Sequence, residues 1–378
     1  MVRLLMLALA VLAFAAPLHA QEAKNCGMPA DIGDGWSLAT PADVGIDADR
    51  LCDLDKLIAQ WPDANIHAVV VVRHGKLVME RYYTGTDQRW GMPLGKVDYA
   101  ADVKHDLRSI SKSVTSLLVG IALAEGKFPA LDSSVFEAFP EFAHLGTPEK
   151  MKITFRHLLT MASGLKWDET TPYSNPANSE RKLIASADPV RYVLEQPLAA
   201  PPGTVYNYSG GDTMLLAMAL EKTTGRRLDD YAREKLFGPL GIVDFEWVEM
   251  PLNRKLAAAS GLRLRARDSA KLGQLLLTDG QWNGKQVLPK GWAAESLKPS
   301  INGDGLYFYG YQWWLGRTLL RGRDLKWSAG FGYGGQRLYA QPDLGLVVMI
   351  NGGHYGGPLQ GIIPFAIFTR LVLPATKD

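Results

Sequence analysis

Apolar residues recur at helical spacing most clearly between Asp106 and Gly126. They lie three or four positions apart, which is the period of an α-helix with one apolar face. Many of the intervening residues are also apolar, so the pattern predicts a helix that is buried on most sides. Gly126 is typical of the left-handed residue that ends a helix. The repeating positions are Ile110, Val114, Leu117, Leu118 and Ile121.

Strand patterns are found near both ends of the chain. Two runs rich in β-branched and aromatic residues flank His74-Gly75 within residues 67–83, and they predict a hairpin. The runs 336–340 and 344–350 predict a second hairpin around Pro342-Asp343. Residues 84–105 lack such alternation and are predicted to be a loop.

Helical spacing dominates the middle of the chain and also recurs outside it. Residues 131–250 are predicted to be helical, with a long polar surface loop at 164–189. Further helices are predicted at 42–60, at 268–277 with Asp268 as its cap, and at 359–373.

This order of elements predicts an α/β (α+β) fold. An antiparallel sheet built from both chain ends is expected to be flanked by helices, with an all-helical domain inserted. The expected boundaries are 21–126 with 251–378 for the sheet domain, and 127–250 for the helical domain. A functional cleft is expected where the two domains meet.

Composition adds a cellular context. Residues 1–20 carry one Arg before a short apolar core and are typical of a signal peptide, so export to the periplasm or medium is predicted. Without them, 40 basic residues face 39 acidic ones, which gives no reason to expect nucleic acid as a partner. No second apolar run predicts a membrane span. Cys26 and Cys52 predict one disulfide. The oligomeric state stays open.

The candidate chemistry centres on Ser109 and Lys112, which share one face at the start of the first helix described. Ser-x-x-Lys also occurs at Ser163 and Ser179, so the spacing alone is not specific. Only the Ser109 copy opens a long apolar helix. The alternative is that Ser109 merely caps that helix. Tyr208 is the candidate proton relay, with its phenolate held by Lys112 and the helix N-terminus.

Other chemistries lack their signatures. Gly-x-Ser-x-Gly and His-Glu-x-x-His are absent from the sequence. Gly330 to Gly335 matches the dinucleotide fingerprint Gly-x-Gly-x-x-Gly, but a strand-like run follows it where that fingerprint requires a helix. We therefore predict no cofactor and no metal.

The ordered set Ser109-Ile-Ser-Lys112, Tyr208-Ser-Gly210 and the late glycine-rich strand resembles the serine β-lactamase and penicillin-recognising family. The resemblance is strongest to its class C-like branch, which includes 6-aminohexanoate-dimer hydrolase and family VIII-type esterases. It implies that Ser109 is the nucleophile and that Lys112 and Tyr208 act as general base and acid. It further implies a small ester or amide substrate that is cleaved through an acyl-enzyme.

Two departures from the family pattern bear on the substrate. Gly210 stands where the family has Asn or Ser, and the Lys-Thr-Gly element is replaced near Trp327 to Gly330. The second oxyanion donor is expected between Ala329 and Tyr333. The alternatives are a β-lactamase or D,D-peptidase, and a non-catalytic penicillin- or peptidoglycan-binding sensor. Expected substrate-binding residues are Trp167, Ser209, Gly210, Gly330, Phe331, Gly332 and Tyr333.

Acidic residues on the polar loop have two interpretations. Asp168 and Glu169 could pair with a cationic end of a substrate, or they could belong to a solvated loop.

Overall fold

The computed structural model describes residues 26–377, so the predicted signal peptide lies outside the described residues. The strands are β1 (Ser37–Leu38), β2 (Ile66–Arg73), β3 (Lys76–Tyr82), β4 (Thr84–Arg89), β5 (Met92–Asp98), β6 (Lys104–Asp106), β7 (Glu246–Trp247), β8 (Leu262–Arg265), β9 (Gln281–Trp282), β10 (Lys285–Gln286), β11 (Ile301–Asn302), β12 (Phe308–Tyr309), β13 (Trp314–Leu320), β14 (Arg323–Gly332), β15 (Gln336–Gln341) and β16 (Leu346–Gly352).

The α-helices are α1 (Ala48–Leu51), α2 (Leu54–Ile58), α3 (Ile110–Ala124), α4 (Val135–Ala138), α5 (Phe155–Leu159), α6 (Ser179–Ile184), α7 (Pro189–Glu195), α8 (Gly210–Thr224), α9 (Leu228–Ala232), α10 (Ala266–Leu277), α11 (Trp292–Ser296), α12 (Leu359–Ala366) and α13 (Leu373–Ala375). Short 3-10 turns span Ala42–Val44, Pro140–Leu145 and Lys150–Lys152, and π-helical turns span Arg233–Phe237 and Ile367–Val372.

The predicted sheet is confirmed. Among the described residues it has nine strands in the order β1-β3-β2-β16-β15-β14-β13-β12-β11. All neighbours are antiparallel except β1 and β3. Strand β16 pairs with β2, so the two ends of the chain meet at this pairing.

Helices cover both faces of this sheet. Val70 and Val72 of β2 belong to a core cluster shared with α3, α8 and α10, whereas Val69 and Val71 belong to a second cluster shared with α1, α2 and α12. Because successive side chains of a strand point to opposite faces, both faces of β2 are buried. This explains why the sequence of β2 is an almost continuous run of apolar residues.

Helix α3 forms as predicted and is central to the molecule. It is buried from Ile110 to Ala122 and packs against α8 and strands β14 and β15. Gly126 has φ +67° and ends the helix, as expected. Between β6 and β7 the chain is mainly helical, and this region lies on the side of the sheet that α3 occupies.

Three local predictions were wrong. Residues 84–105 contain the β4–β5 hairpin and β6, and β5 escaped prediction because nearly all of its residues are exposed and carry no apolar alternation. Residues 42–60 form a 3-10 turn and two short helices instead of one helix. Asp268 lies inside α10, where its buried carboxylate pairs with Lys271 and Arg265.

Two further predictions concern the disulfide and membrane-spanning helices. The disulfide between Cys26 and Cys52 is formed, as predicted. In residues 26–377, every helix is too short or too polar to cross a bilayer.

The glycine-rich segment Gly330 to Gly335 joins β14 to β15, so it connects two strands instead of a strand and a helix.

Candidate active site

Ser109 sits in a tight turn between β6 and α3. The N–H of Leu107 donates to the carbonyl of Leu262 over 2.9 Å, which anchors the turn to β8. Ser111 Oγ donates to the carbonyl of Arg108 over 2.6 Å and accepts from the N–H of Leu262. Arg108 has φ +50°, a left-handed conformation that is costly for a residue with a side chain. The surrounding hydrogen bonds hold this turn and present Ser109 directly before the helix.

The structure brings Ser109, Lys112 and Tyr208 together. Lys112 Nζ donates to Ser109 Oγ over 3.1 Å and to the carbonyl of Ala259 over 3.2 Å. It also lies 4.7 Å from the ring centre of Tyr208. The Tyr208 hydroxyl interacts with both Ser109 and Lys112, and its ring stacks on Trp314. A hydroxyl, an amine and a phenol in mutual contact can pass a proton among themselves.

Burial and the neighbouring charges act in opposite directions on the pKa values of Tyr208 and Lys112. Burial raises the pKa of Tyr208, and the opposing effect of Lys112 does not reverse this. Burial therefore favours the neutral phenol of Tyr208, whereas the adjacent Lys112 favours its phenolate. Burial by itself would lower the pKa of Lys112, but Tyr208, Glu169 and Glu180 together raise it.

A cavity of about 370 Å³ opens onto Ser109. Its wall is polar and aromatic and draws residues from both the sheet side and the helical side of the molecule. Since Ser109 and Lys112 belong to this wall, a small carbonyl compound in the cavity would reach the Ser109 hydroxyl. The lining residues are Gln88, Trp90, Gly91, Arg108, Ser109, Lys112, Glu169, Tyr173, Ser174, Glu180, Arg181, Ile184, Ser260, Tyr333 and Tyr355.

Two acidic residues of the long polar loop and α6 enter this wall. Glu169 accepts hydrogen bonds from Trp167 Nε1 at 2.7 Å, from the Tyr173 hydroxyl at 2.9 Å and from the N–H of Gly210 at 2.5 Å. Glu180 is 5% exposed and accepts from Ser260 Oγ over 3.4 Å. Asp168 instead closes its own turn by accepting from Thr170 and Thr171.

The expected substrate-binding residues on the helical side lie behind the cavity wall. Trp167 is buried and holds Glu169. Ser209 caps α8 by accepting from the N–H of Asp212 over 3.1 Å, and Gly210 is the first residue of that helix. These residues hold the wall in place without forming its surface.

The glycine-rich strand contributes through its backbone and its last residue. A Cβ on Gly332 would lie 2.3 Å from the carbonyl oxygen of Leu107, and one on Gly330 would lie 3.2 Å from the Ile110 side chain. Both glycines therefore let β14 approach the turn that carries Ser109. Phe331 stacks on Trp314 in an aromatic cluster, and Tyr333 lines the cavity.

A second buried cluster stands behind Tyr355. His67 Nδ1 and His105 Nε2 are 2.8 Å apart, and His105 Nε2 is 3.2 Å from Asp87 Oδ2. These three groups could hold a metal ion, but two nitrogens bound tetrahedrally to one zinc at about 2.0–2.1 Å would stand farther apart. The short separation fits a shared proton. Asp87 also accepts from the Tyr355 hydroxyl over 2.8 Å, which fixes one wall of the cavity.

Sequence reasoning missed several of the lining residues. Glu180 belongs to the Ser179 copy of Ser-x-x-Lys, which was set aside because it opens no apolar helix. A buried acid on a polar loop has no local signature, since its neighbours in space come from distant parts of the chain. The available signal was the turn-rich composition of residues 164–189, which predicted a long polar surface loop.

The chain is similar to several known proteins. A family model described as Beta-lactamase matches residues 54–362. The 6-aminohexanoate-dimer hydrolase of Paenarthrobacter ureafaciens is 26% identical over 335 residues, which are 82% of this chain and 79% of the relative. Two solved structures share the fold. EstCE1, a hydrolase with promiscuous acyltransferase activity, has a TM-score of 0.64 at 18% identity, over 85% of this chain and 98% of its own. A family VIII carboxylesterase has a TM-score of 0.62 at 16% identity, over 86% and 98%.

Proposed function

Because the chain belongs to the beta-lactamase family, whose relatives include hydrolases and esterases, we propose that it is an exported serine hydrolase that cleaves a small ester or amide. The contact between Lys112 Nζ and Ser109 Oγ at 3.1 Å, on the wall of the cavity, carries this proposal. A Ser109 that only capped α3 would accept a hydrogen bond from the first turn of that helix, and its side chain makes no such bond.

In the proposed reaction Ser109 Oγ attacks the carbonyl carbon as its proton passes to the free-amine form of Lys112. Tyr208 then delivers a proton to the leaving alcohol or amine, which departs and leaves an acyl group on Ser109. Water attacks this acyl group and gives a proton back through the same groups, so the carboxylic acid leaves and Ser109 is restored. General acid–base help of this kind contributes roughly 10²–10⁴ in rate.

The developing oxyanion needs hydrogen-bond donors. We propose the N–H of Ser109 as one donor, since it stands at the N-terminus of α3, and an N–H between Ala329 and Tyr333 as the other. The close approach of β14 to the turn at Leu107 supports this choice.

The size and lining of the cavity support a small substrate. Its wall includes four large aromatic side chains, namely Trp90, Tyr173, Tyr333 and Tyr355. The late strand offers neither Lys nor His in the segment Trp327 to Gly330, which argues against a substrate recognised mainly through a carboxylate. Export is supported by the disulfide and by the signal-like sequence of residues 1–20.

A side-by-side assay tests this function. A short-chain nitrophenyl ester, a short linear amide and a chromogenic cephalosporin are offered to the protein, with Ser109→Ala as the control. We expect ester or amide hydrolysis that is lost in the variant. Rapid cephalosporin turnover with little ester cleavage would favour a β-lactamase instead. A stable adduct without turnover on any of the three would favour a sensor.

A further inference from the structure

The tip of the β4–β5 hairpin reaches the wall of the cavity. Arg89 pairs with Met92, so the tip consists of the two residues Trp90 and Gly91. Both residues line the cavity together with Gln88, whereas nearly all of β5 behind them is exposed. The tip is therefore the part of the hairpin that can contact a substrate.

The backbone at Trp90 has a conformation that few large residues adopt. Its φ is +47° and that of Gly91 is +95°, as in the two-residue turns that hairpins favour. Such turns usually have Asn, Asp or Gly at the first position, because a positive φ is costly for a bulky side chain. Strain of this kind is found mainly at functional sites, where the surrounding contacts hold it. The indole of Trp90 therefore calls for a role that a smaller side chain would not fill.

Two hydrogen bonds fix Trp90, one at its backbone and one at the far end of its ring. The backbone N–H donates to Asp106 Oδ2 over 2.6 Å, and the indole Nε1 donates to Ser260 Oγ over 3.1 Å. Asp106 is itself held by Arg108 and Arg263, each with a nitrogen 3.0 Å from a carboxylate oxygen. The ring cannot leave the cavity wall without losing the bond to Ser260.

These hydrogen bonds place the indole close to the reacting groups. Ser260 directly follows Ala259, whose carbonyl accepts from Lys112 Nζ over 3.2 Å. Asp106 is the last residue of β6 and stands three residues before Ser109. The indole thus belongs to the part of the wall next to the nucleophile, where a group attached to the substrate carbonyl has to fit.

The strands of the hairpin are also anchored. Asn65 Nδ2 donates to the carbonyl of Thr86 over 2.7 Å, near the start of β4. At the other end of β4, Arg89 forms an ion pair with Glu246 of β7. A mobile tip could turn aside for a longer substrate, but a hairpin held along β4 and at its tip forms a fixed wall.

Within the proposed function, on which this inference rests, we propose that Trp90 is a specificity-determining residue whose indole limits the length of the group that lies beside Ser109. The cavity of about 370 Å³ is near the lower end of the range of small-molecule sites. A longer chain would have to displace the indole, which is tied to Ser260. Gly91 imposes no such limit, since even an added Cβ there would have open space around it.

The dependence of kcat/KM on chain length tests this limit. Nitrophenyl acetate, butyrate, octanoate and decanoate form an acyl series, and acetates of alcohols of increasing length form an alcohol series. In the native protein, kcat/KM should fall as the chain lengthens in at least one series. In Trp90→Ala, the ratio of kcat/KM for long over short chains in that series should rise at least about tenfold, since a single misfitting methylene in an apolar pocket changes kcat/KM by about 10–200-fold.

Two further variants keep this test independent of folding. Trp90→Phe retains a smaller aromatic ring and should give an intermediate ratio. Met92→Ala changes a residue of the same hairpin that is 57% exposed and outside the cavity wall, and it should leave the ratio unchanged. A variant that is merely destabilised loses activity toward all chain lengths by the same factor. An unchanged ratio in the folded Trp90 variants, or a native preference for the longest chains in both series, would overturn the limit.

A double-mutant cycle tests the hydrogen bond that holds the indole. Ser260→Ala removes the acceptor of Nε1 and lets the ring move, so it should raise the ratio of long over short chains, by less than Trp90→Ala does. In a Trp90→Ala background there is no ring to release, so adding Ser260→Ala should not raise the ratio further. The same rise in both backgrounds would contradict the role of this hydrogen bond.

A binding measurement without turnover separates this inference from the proposed function. Methyl ketones with a propyl or a heptyl chain are titrated calorimetrically into Ser109→Ala. With Trp90 in place, the heptyl ketone should bind no tighter than the propyl ketone. When Trp90→Ala is added, the heptyl ketone should bind at least about tenfold tighter, because the added methylenes are buried.

The outcomes of the two experiments are distinct. The same ratio of ketone affinities in both proteins, or no binding to either, would overturn the role of Trp90. Absence of ester and amide hydrolysis by the native protein would instead overturn the proposed function, whatever the ketone titration gives.

Discussion

At the scale of single residues, the site depends on buried groups whose charges compensate one another. Lys112 is 1% exposed, and its ammonium is offset by Glu169 and Glu180 across the cavity wall. Burying any of these charges alone would be costly, because a buried charge loses its contacts with water. The strained Arg108 belongs to the same arrangement, since its guanidinium pairs with Asp106 and lies over the ring of Tyr355.

The first prediction concerns the two proton-carrying residues. Lys112→Met and Tyr208→Phe each keep the shape of the side chain but remove its exchangeable proton. We expect kcat to fall by roughly 10²–10⁴ while KM changes little, since neither group is needed to hold the substrate. Steady-state kinetics measures both constants, and circular dichroism confirms that the variants are folded. A variant that kept most of its kcat would exclude that residue from proton transfer.

At the scale of elements, the site exists because β14 packs closely against the start of α3. Gly330 and Gly332 remove the side chains that would hold the two elements apart. Tyr208 directly precedes Ser209, which caps the N-terminus of helix α8, and interacts with Ser109 and Lys112. The three elements meet at Ser109, so small shifts between them would change the reaction rate.

The second prediction compares the two glycines of β14. The Cβ of Gly332→Ala would lie 2.3 Å from the carbonyl oxygen of Leu107, which is backbone and cannot turn away. The Cβ of Gly330→Ala would lie 3.2 Å from an Ile110 side chain, which can adjust. We expect a loss of kcat of at least about tenfold in Gly332→Ala, by displacement of the Ser109 turn, and a much smaller loss in Gly330→Ala. Equal effects in the two variants would contradict the close approach.

The third prediction concerns Asp212 in the first turn of α8. It is fully buried, and burial raises its pKa to about 8, while hydrogen bonds involving Ser163 and Ser209 act in the opposite direction. A raised folded-state pKa contributes stability that is complete below the unfolded-state pKa and is lost as pH rises toward 8. Asn at position 212 cannot ionise. The Tm of Asp212→Asn minus the Tm of the native protein should therefore increase as the pH rises from 5 to 8. A Tm difference independent of pH would show that Asp212 is ionised throughout this range.

At the scale of the whole molecule, the two chain ends complete one sheet, and the disulfide ties the N-terminal segment at Cys26 to the end of helix α1. Asp34 of this segment pairs with Arg267 at 2.8 Å, and Arg267 also pairs with Glu80 of β3. The segment is thus fixed by both a covalent bond and a buried ion pair. It contributes no side chain to the lining of the cavity.

The fourth prediction follows from this arrangement. Replacing both Cys26 and Cys52 by Ser releases a loop with a sequence separation of 26 residues. We expect the free energy of unfolding to fall by about 3 kcal/mol, since the unfolded chain gains conformational freedom. The kcat of the folded variant should stay near that of the native protein. An unchanged denaturation midpoint would mean that the ion pairs alone hold the segment.

The sequence predicted the sheet, α3 and the convergence of Ser109, Lys112 and Tyr208 because these rest on long apolar patterns and on an ordered set of motifs. It did not predict the β4–β5 hairpin, whose exposed strands lack an apolar face. It did not predict that Glu180 lines the cavity, since the residues that Glu180 contacts there come from distant parts of the chain. The raised pKa of Tyr208 also escaped prediction, because the effect of burial exceeds that of the nearby Lys112, and burial is a property of the fold.

The acyl-enzyme itself provides the most direct test of the central claim. The protein is mixed briefly with an activated ester, quenched in acid, digested and analysed by mass spectrometry to locate the acyl group. We expect the added mass on the peptide that contains Ser109, and none in Ser109→Ala. An acyl group on Ser163 or Ser179, the other two Ser-x-x-Lys serines, or one that persists in Ser109→Ala, would contradict the assignment of Ser109 as the nucleophile.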